Sequence, residues 1–271
     1  MLFKPAMLAA LSLIVVTLAF GVLSNNAQSN QEAAKTTEQN GNDKKSHVRA
    51  RELDDSATPV VDLVTSDTAT VGGDRLLKSS RYDNEGFVRS EIDPGVANVV
   101  REPVENISDL PVDKSDLVVE GTVTDSAAFL SNDKGGVYSE ITVHVNDVLK
   151  DASNVNVRNG DSIVAERFGG RVKYPNGQIV RYGIVGQGSP AKGRTYLFFL
   201  SRAGQGNYNL LTAYELQGNK VQALDGARVN LGLGQWVFDK HNGEDYQAFR
   251  KATEQAIKNP PNGNQKRRFN P

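Results

Sequence analysis

From Leu117 onward apolar residues recur at every second position, and nothing else in the chain constrains its fold as strongly. A strand turns successive side chains to opposite faces, so such runs describe sheets with one face buried. In Tyr138 to Val148, Ile141, Val143 and Val145 fall on one side and Thr142, His144 and Asn146 on the other. Leu117 to Val123 reads the same way, and Ser131 to Gly136 between the two runs is turn chemistry. Asn159-Gly160-Asp161 is expected to join Val155–Val157 to Ile163–Phe168. Arg171–Pro175 and Gln178–Tyr182 flank Asn176-Gly177, a pair suited to a type I′ hairpin in which both residues take positive φ. Thr195 to Leu200 is almost continuously apolar, which predicts a strand covered on both faces. Tyr208–Leu216 and Lys220–Leu224 make a last pair across Gly218-Asn219. The period then changes to helical over Gly243 to Lys258. Tyr246, Phe249, Ala252 and Ala256 form an apolar face, Arg250, Lys251, Glu254 and Lys258 a polar one, and Asn259-Pro260-Pro261 ends the helix.

Six or seven short strands followed by one helix predict a mainly β fold. The favoured form is a small closed OB-like barrel with the C-terminal α-helix packed on it as the plug of an open end; the alternative is a β-sandwich. Closure hides strand edges that would otherwise invite pairing with other chains.

An apolar run near the start, Ala6 to Leu23, follows Lys4 and precedes a polar stretch. It is longer than a usual signal-peptide core and just long enough to span a bilayer. Residues 1–24 are therefore a cleaved signal peptide or an uncleaved signal-anchor helix, and both export the bulk of the chain. There is no cysteine, so the exported part has no disulfides and must hold together through its core. Residues 25–104 read as a disordered or irregular linker, 105–260 as the β-barrel domain with its helix, and 261–271 as a disordered tail. Over 271 residues the formal net charge is -1. That argues against a nucleic-acid partner, which needs a basic face.

The segment SDLVVEGTVTDSAAFLSNDKGGVYSEITVHVNDVLK, followed by GDSIVAERFGGRV, GQGSPAKGRTYLFFL and YNLLTAYELQGNKVQALDG, resembles a group of uncharacterised exported bacterial proteins with an OB-like β-barrel. The likeness covers Ser115 to Gly226 and the RYDNEGF piece, Arg81 to Phe87. It implies an envelope or extracellular location and carries over no catalytic or binding residue.

Chemistry is scarce in the sequence. His47, His144 and His241 lie far apart, with no metal-ligand spacing, so no metal and no cofactor is expected. No Gly-x-Ser-x-Gly elbow is present, and no cysteine nucleophile, so no catalytic residue is assigned. Gly186 to Gly193 resembles a phosphate loop but has Ala191 before its lysine and Gly193 after it, where glycine and Ser or Thr are needed. The acids Glu140, Glu166, Glu215 and Asp225 could do hydrolytic chemistry if they converged. The constellation that stands out is the hairpin. A two-residue turn at Asn176-Gly177 sets Tyr174 opposite Ile179, Val172 opposite Arg181 and Arg171 opposite Tyr182. Arg171, Lys173 and Tyr182 then share one face, and Tyr174 and Arg181 the other, where cations beside aromatics could bind a ligand. The expected function is an exported or membrane-anchored non-enzymatic envelope protein, a binding or structural module with an unknown envelope ligand or protein partner. It touches the membrane through the N-terminal helix if that is uncleaved. The alternative is an envelope hydrolase whose acids meet only in three dimensions.

Overall fold

The structure is a computed structural model that describes residues 55–66, 73–101, 107–204, 207–226 and 237–260. The apolar run, about half of the expected linker and the tail lie outside them. Among the described residues no helix is long and apolar enough to cross a membrane.

The fold is mainly β with a C-terminal helix. Two long strands, β3 (Leu117–Leu130) and β4 (Val137–Asp151), pair antiparallel along their length. Their register shifts at Val118/Val119, Glu120/Gly121 and Val123/Asp125, irregularities of the kind that bend and twist a strand. β4 passes to β5 (Ser162–Phe168), antiparallel. β5 lies parallel to β9 (Asn207–Gln217), β9 antiparallel to β8 (Thr195–Gly204), and β8 antiparallel to β3. Each of these five strands thus pairs with two others of the set. β10 (Lys220–Ala223) continues the sheet beyond β9.

Alternation along the strands separates two cores. Val119, Val123, Ile141, Val143, Val145, Ala165, Phe198 and Leu200 pack together on one side. On the opposite face Val118, Leu197, Phe199, Tyr214 and Val221 meet α2 (Tyr246–Lys258) through Phe249. Tyr196 to Leu200 are buried on both faces, as the continuous apolar run predicts. The helix does not plug an open end. It lies on the face opposite the first core, because Val118 of β3, Leu197 and Phe199 of β8 and Tyr214 of β9 turn apolar side chains that way. Asp245 caps it, its carboxylate accepting from the N–H groups of Gln247 and Ala248 at 3.0 and 3.1 Å. Arg250, expected on a solvated face, pairs with Asp147 at 2.5 Å and Glu120 at 3.4 Å on β4 and β3.

A second sheet, ordered β1-β6-β7-β2, comes from β1 (Val60–Asp62), β2 (Asn98–Arg101), β6 (Gly170–Lys173) and β7 (Ile179–Ile184). Its core joins Val172, Tyr174, Val180 and Tyr182 to Val88, Leu130 and Val137. β1 and β2 lie inside the stretch expected as linker. They add parallel to β6 and β7 and, with α1 (Gly73–Ser79), belong to the same compact unit as the β-domain. A three-residue strand and a four-residue strand are too short to show an alternation of their own. Val155–Val157 is not a strand. Asn154 and Asn156 take positive φ, and the Val157 N–H bonds to the Asp151 carboxylate at 2.8 Å.

Candidate functional site

The hairpin read from the sequence exists with a different turn and register. Its loop has three residues, Pro175 to Gly177: the Gly177 N–H reaches the Tyr174 carbonyl at 2.9 Å, and the Tyr174 N–H the Gln178 carbonyl at 2.8 Å. Pro175 presets the first corner of a type I turn, and Gly177, at φ 82°, takes the left-handed residue that follows. Asn176 is not left-handed, so this is not a type I′ turn. The register moves by one residue: Lys173 stands opposite Ile179, Val172 opposite Val180, Arg171 opposite Arg181 and Gly170 opposite Tyr182. Because strand faces alternate, that slip sorts the side chains differently. Tyr174 and Tyr182 fall together on the buried face, where their hydroxyls bond each other. Arg171, Lys173 and Arg181 fall on the other.

Each cation there already has a structural partner. Arg171 donates to the Thr58 carbonyl at 2.6 Å, tying down the entry to β1. Arg181 is buried and donates to the Gln187 carbonyl at 2.6 Å. Lys173 is half exposed, 3.7 Å from Asp62. The five residues therefore form no cation–aromatic surface.

The acids are more informative. Glu140 on β4 and Glu166 on β5 stand directly opposite each other, facing away from Ile141 and Ala165 of the first core. Like charges at paired positions repel, and both are nearly shut off from water, with side-chain exposures of 11% and 0%. The cations that meet them come from one segment, α1 and the 3-10 turn Ser80–Tyr82. Arg75 grips Glu140 with both terminal nitrogens, the longer bond at 3.1 Å, and Lys78 adds a contact at 3.3 Å. Arg81 donates to Glu166 at 2.7 Å and to the Ala203 carbonyl at 2.8 Å.

Aromatic groups complete the seat. Tyr82 stacks on Tyr138 with centroids 4.3 Å apart and planes 6° from parallel. Its hydroxyl donates to Glu166 at 3.3 Å. Burial, and then the Glu166 charge, pushes the Tyr82 phenol well above its ordinary value. Arg75 lies 3.7 Å over the Phe129 ring, a cation–π contact. Gly135 and Gly136 let the segment approach. The Gly135 carbonyl accepts from the N–H groups of Phe87 and Val88, and a side chain at Gly136 would sit 2.3 Å from the Tyr82 carbonyl. A cleft of about 290 Å³ runs beside α1, lined by Val61, Leu76, Ala128 and Phe129 among others.

The other acids are dispersed. Asp225 receives Arg167 at 2.6 Å, the Thr212 hydroxyl at 2.9 Å and the Gly188 N–H at 2.9 Å. Glu215 lies 3.6 Å from Arg194. His241 is buried, with Nδ1 2.7 Å from Glu244 and Nε2 3.1 Å from Asp109. Among the described residues no group of three or more His, Cys, Asp or Glu is placed to hold a metal ion.

Glu140 and Glu166 were visible in the sequence as acids but not as a pair, since their pairing depends on the register of β4 with β5. The matching basic segment gave one signal, Arg75, Lys78 and Arg81 at three-residue spacing, in a stretch too short and polar to read as a helix. No protein-family model matches the chain, and no curated protein matches it.

Proposed function

We propose that this protein is an exported, non-enzymatic module of the cell envelope, a binding or structural domain built on an OB-like barrel. The leader run Ala6 to Leu23 carries the location. The barrel reading rests on the ring of pairings β3-β4-β5-β9-β8 with a parallel β5–β9 step, the arrangement of a five-stranded Greek-key barrel.

The observation behind the non-enzymatic reading is the occupation of the acids. Glu140, Glu166 and Asp225 each carry a hydrogen-bonded arginine. A general acid or base needs a carboxylate that can reach substrate and trade a proton. Each of these carboxylates is covered by its arginine, with side-chain exposures of 11%, 0% and 6%, and so is poorly placed to reach a substrate. The formal net charge of -1 offers no general basic face, which disfavours nucleic acid as the ligand.

The hydrolase alternative draws on the same pair, since Glu140 and Glu166 are cross-strand neighbours, and paired carboxylates do glycosidic chemistry. Incubating the full chain with envelope glycans and model esters separates the two readings. We expect no turnover. Saturable turnover abolished by Glu166→Gln would overturn the non-enzymatic reading. Mass spectrometry of the mature N-terminus, with membrane fractionation, tests location. A start near Asn25 or Gln28 means cleavage, and Met1 retained in the membrane fraction means an anchor. A chain that keeps Met1 and stays soluble in the cytoplasm would overturn the envelope assignment.

A further inference from the structure

Glu140, Glu166, Tyr138 and Phe129 together form a receptor surface, and the segment on it has the character of a ligand. Two neighbouring carboxylates are buried on the outside of the sheet, and the β-strands supply neither with a hydrogen-bonded cation; these come from Arg75, Lys78 and Arg81. The seat therefore requires a cationic occupant.

The occupant is held by ion pairs and hydrogen bonds rather than by apolar burial, with the Ser79 hydroxyl 3.0 Å from that of Tyr138 and the Asn132 side chain donating to the Leu76 carbonyl at 3.0 Å. In α1 only Ser79 is buried, while Leu76 and Leu77 are 41% and 58% exposed. Apolar burial is what makes docking permanent at about 25 cal/mol per Å², and here it is confined largely to the stacked Tyr82 ring. Ion pairs with partly exposed arginines weaken with salt and with competition from other cations.

From this we propose that the β4–β5 face is a peptide-binding face, selective for a basic segment with cations at three-residue spacing followed by a tyrosine, and that Gly73–Tyr82 is its resident occupant. A partner protein offering that chemistry displaces the resident. This rests on the non-enzymatic binding reading and names its partner class. Arginine fits the Glu140 end better than lysine because its planar fork reaches both carboxylate oxygens while its face lies on Phe129. Tyrosine fits the Glu166 end because its ring covers Tyr138 while its hydroxyl reaches the acid.

The test uses the full chain carrying Arg75→Ala and Arg81→Ala, which weakens the resident and leaves the face intact. The probe is a fluorescein-labelled peptide of the sequence Arg75 to Tyr82, followed by anisotropy. We expect saturable binding that weakens as salt rises and is at least about tenfold weaker when Glu140→Gln and Glu166→Gln are added, since two charge-assisted contacts are lost. No saturable binding, or binding unchanged by those two substitutions, overturns the proposal. Should the double variant fail to fold, the wild-type chain is incubated with the same peptide bearing a photoreactive phenylalanine in place of its tyrosine. Cross-links at β4 and β5 support the proposal, and cross-links scattered elsewhere refute it. Absent binding together with absent turnover defeats this inference alone, whereas turnover in the glycan assay defeats the reading beneath it.

Discussion

Replacing Arg81 by methionine tests whether the basic segment is held by its ion pairs. The substitution keeps much of the stem and removes the guanidinium that reaches Glu166 at 2.7 Å and the Ala203 carbonyl at 2.8 Å. Removing one partner of a fully buried pair costs about 3–5 kcal/mol, because the other charge stays behind unpaired. Arg81 is 31% exposed, so water screens part of the interaction. The Tyr82 hydroxyl also remains on Glu166. The expected loss is therefore about 2–3 kcal/mol, a large share of the 5–15 kcal/mol typical of a domain. Adding Glu166→Gln removes the stranded charge and should recover part of the loss, giving a coupling of at least about 1 kcal/mol in a double-mutant cycle. Urea denaturation of the four chains, followed by circular dichroism, measures it. Additive effects within about 0.5 kcal/mol, or an Arg81→Met loss below about 0.5 kcal/mol, would refute the claim that this pair holds the segment.

Phe249→Ala should cost about 3–5 kcal/mol, since the ring is fully buried against Tyr214 at 4.6 Å and His241 at 5.1 Å. Arg250→Ala should cost about 1–3 kcal/mol rather than nothing, because it bridges α2 to Asp147 and Glu120; urea midpoints of both variants check this. Gly136→Ala places a carbon 2.3 Å from the Tyr82 carbonyl, so it should loosen the segment and speed hydrogen exchange at Phe87 and Val88 without changing that of β8. The Arg250 hydrogen bond holds the Asp147 carboxyl below its usual range, and the Ser131 hydroxyl and backbone N–H groups do the same for Asp133. Between folded and unfolded values the unfolded chain binds more protons. Their contribution is thus present above about pH 4 and lost as pH falls further, which a thermal-unfolding series from pH 7 to 2 reads directly. Burial raises the phenols of Tyr182 and Tyr214, so their contribution is present below about pH 10 and lost above it, when unfolded tyrosines ionise first; absorbance at about 295 nm follows this.

Period alone placed most of the strands between Leu117 and Leu224 and the final helix, because each buries one face and its pattern records which, whereas the short apolar piece Val155–Val157 carried no such pattern and is not a strand. Thr195 to Leu200 announced burial on both sides by having no polar face to show, and Phe249 announced its docking by its place on the stripe. The hairpin was legible as a hairpin, yet its turn depended on Pro175 as well as Asn176-Gly177. A one-residue difference in register moved Tyr182 to the face of Tyr174 and took both away from the arginines. β1, β2 and α1 left no comparable signal: three, four and seven residues are too few for a period, and they gain their structure by adding to strands far along the chain. The paired acids are the clearest case. Glu140 and Glu166 are separated in sequence by a loop and most of two strands, and their cations lie more than sixty residues away. Sequence records the charges one by one. Which of them become neighbours, and how much water remains between them, is fixed only when strand register and chain reversal bring distant segments together, because Coulomb interactions depend on separation and solvent in the folded state.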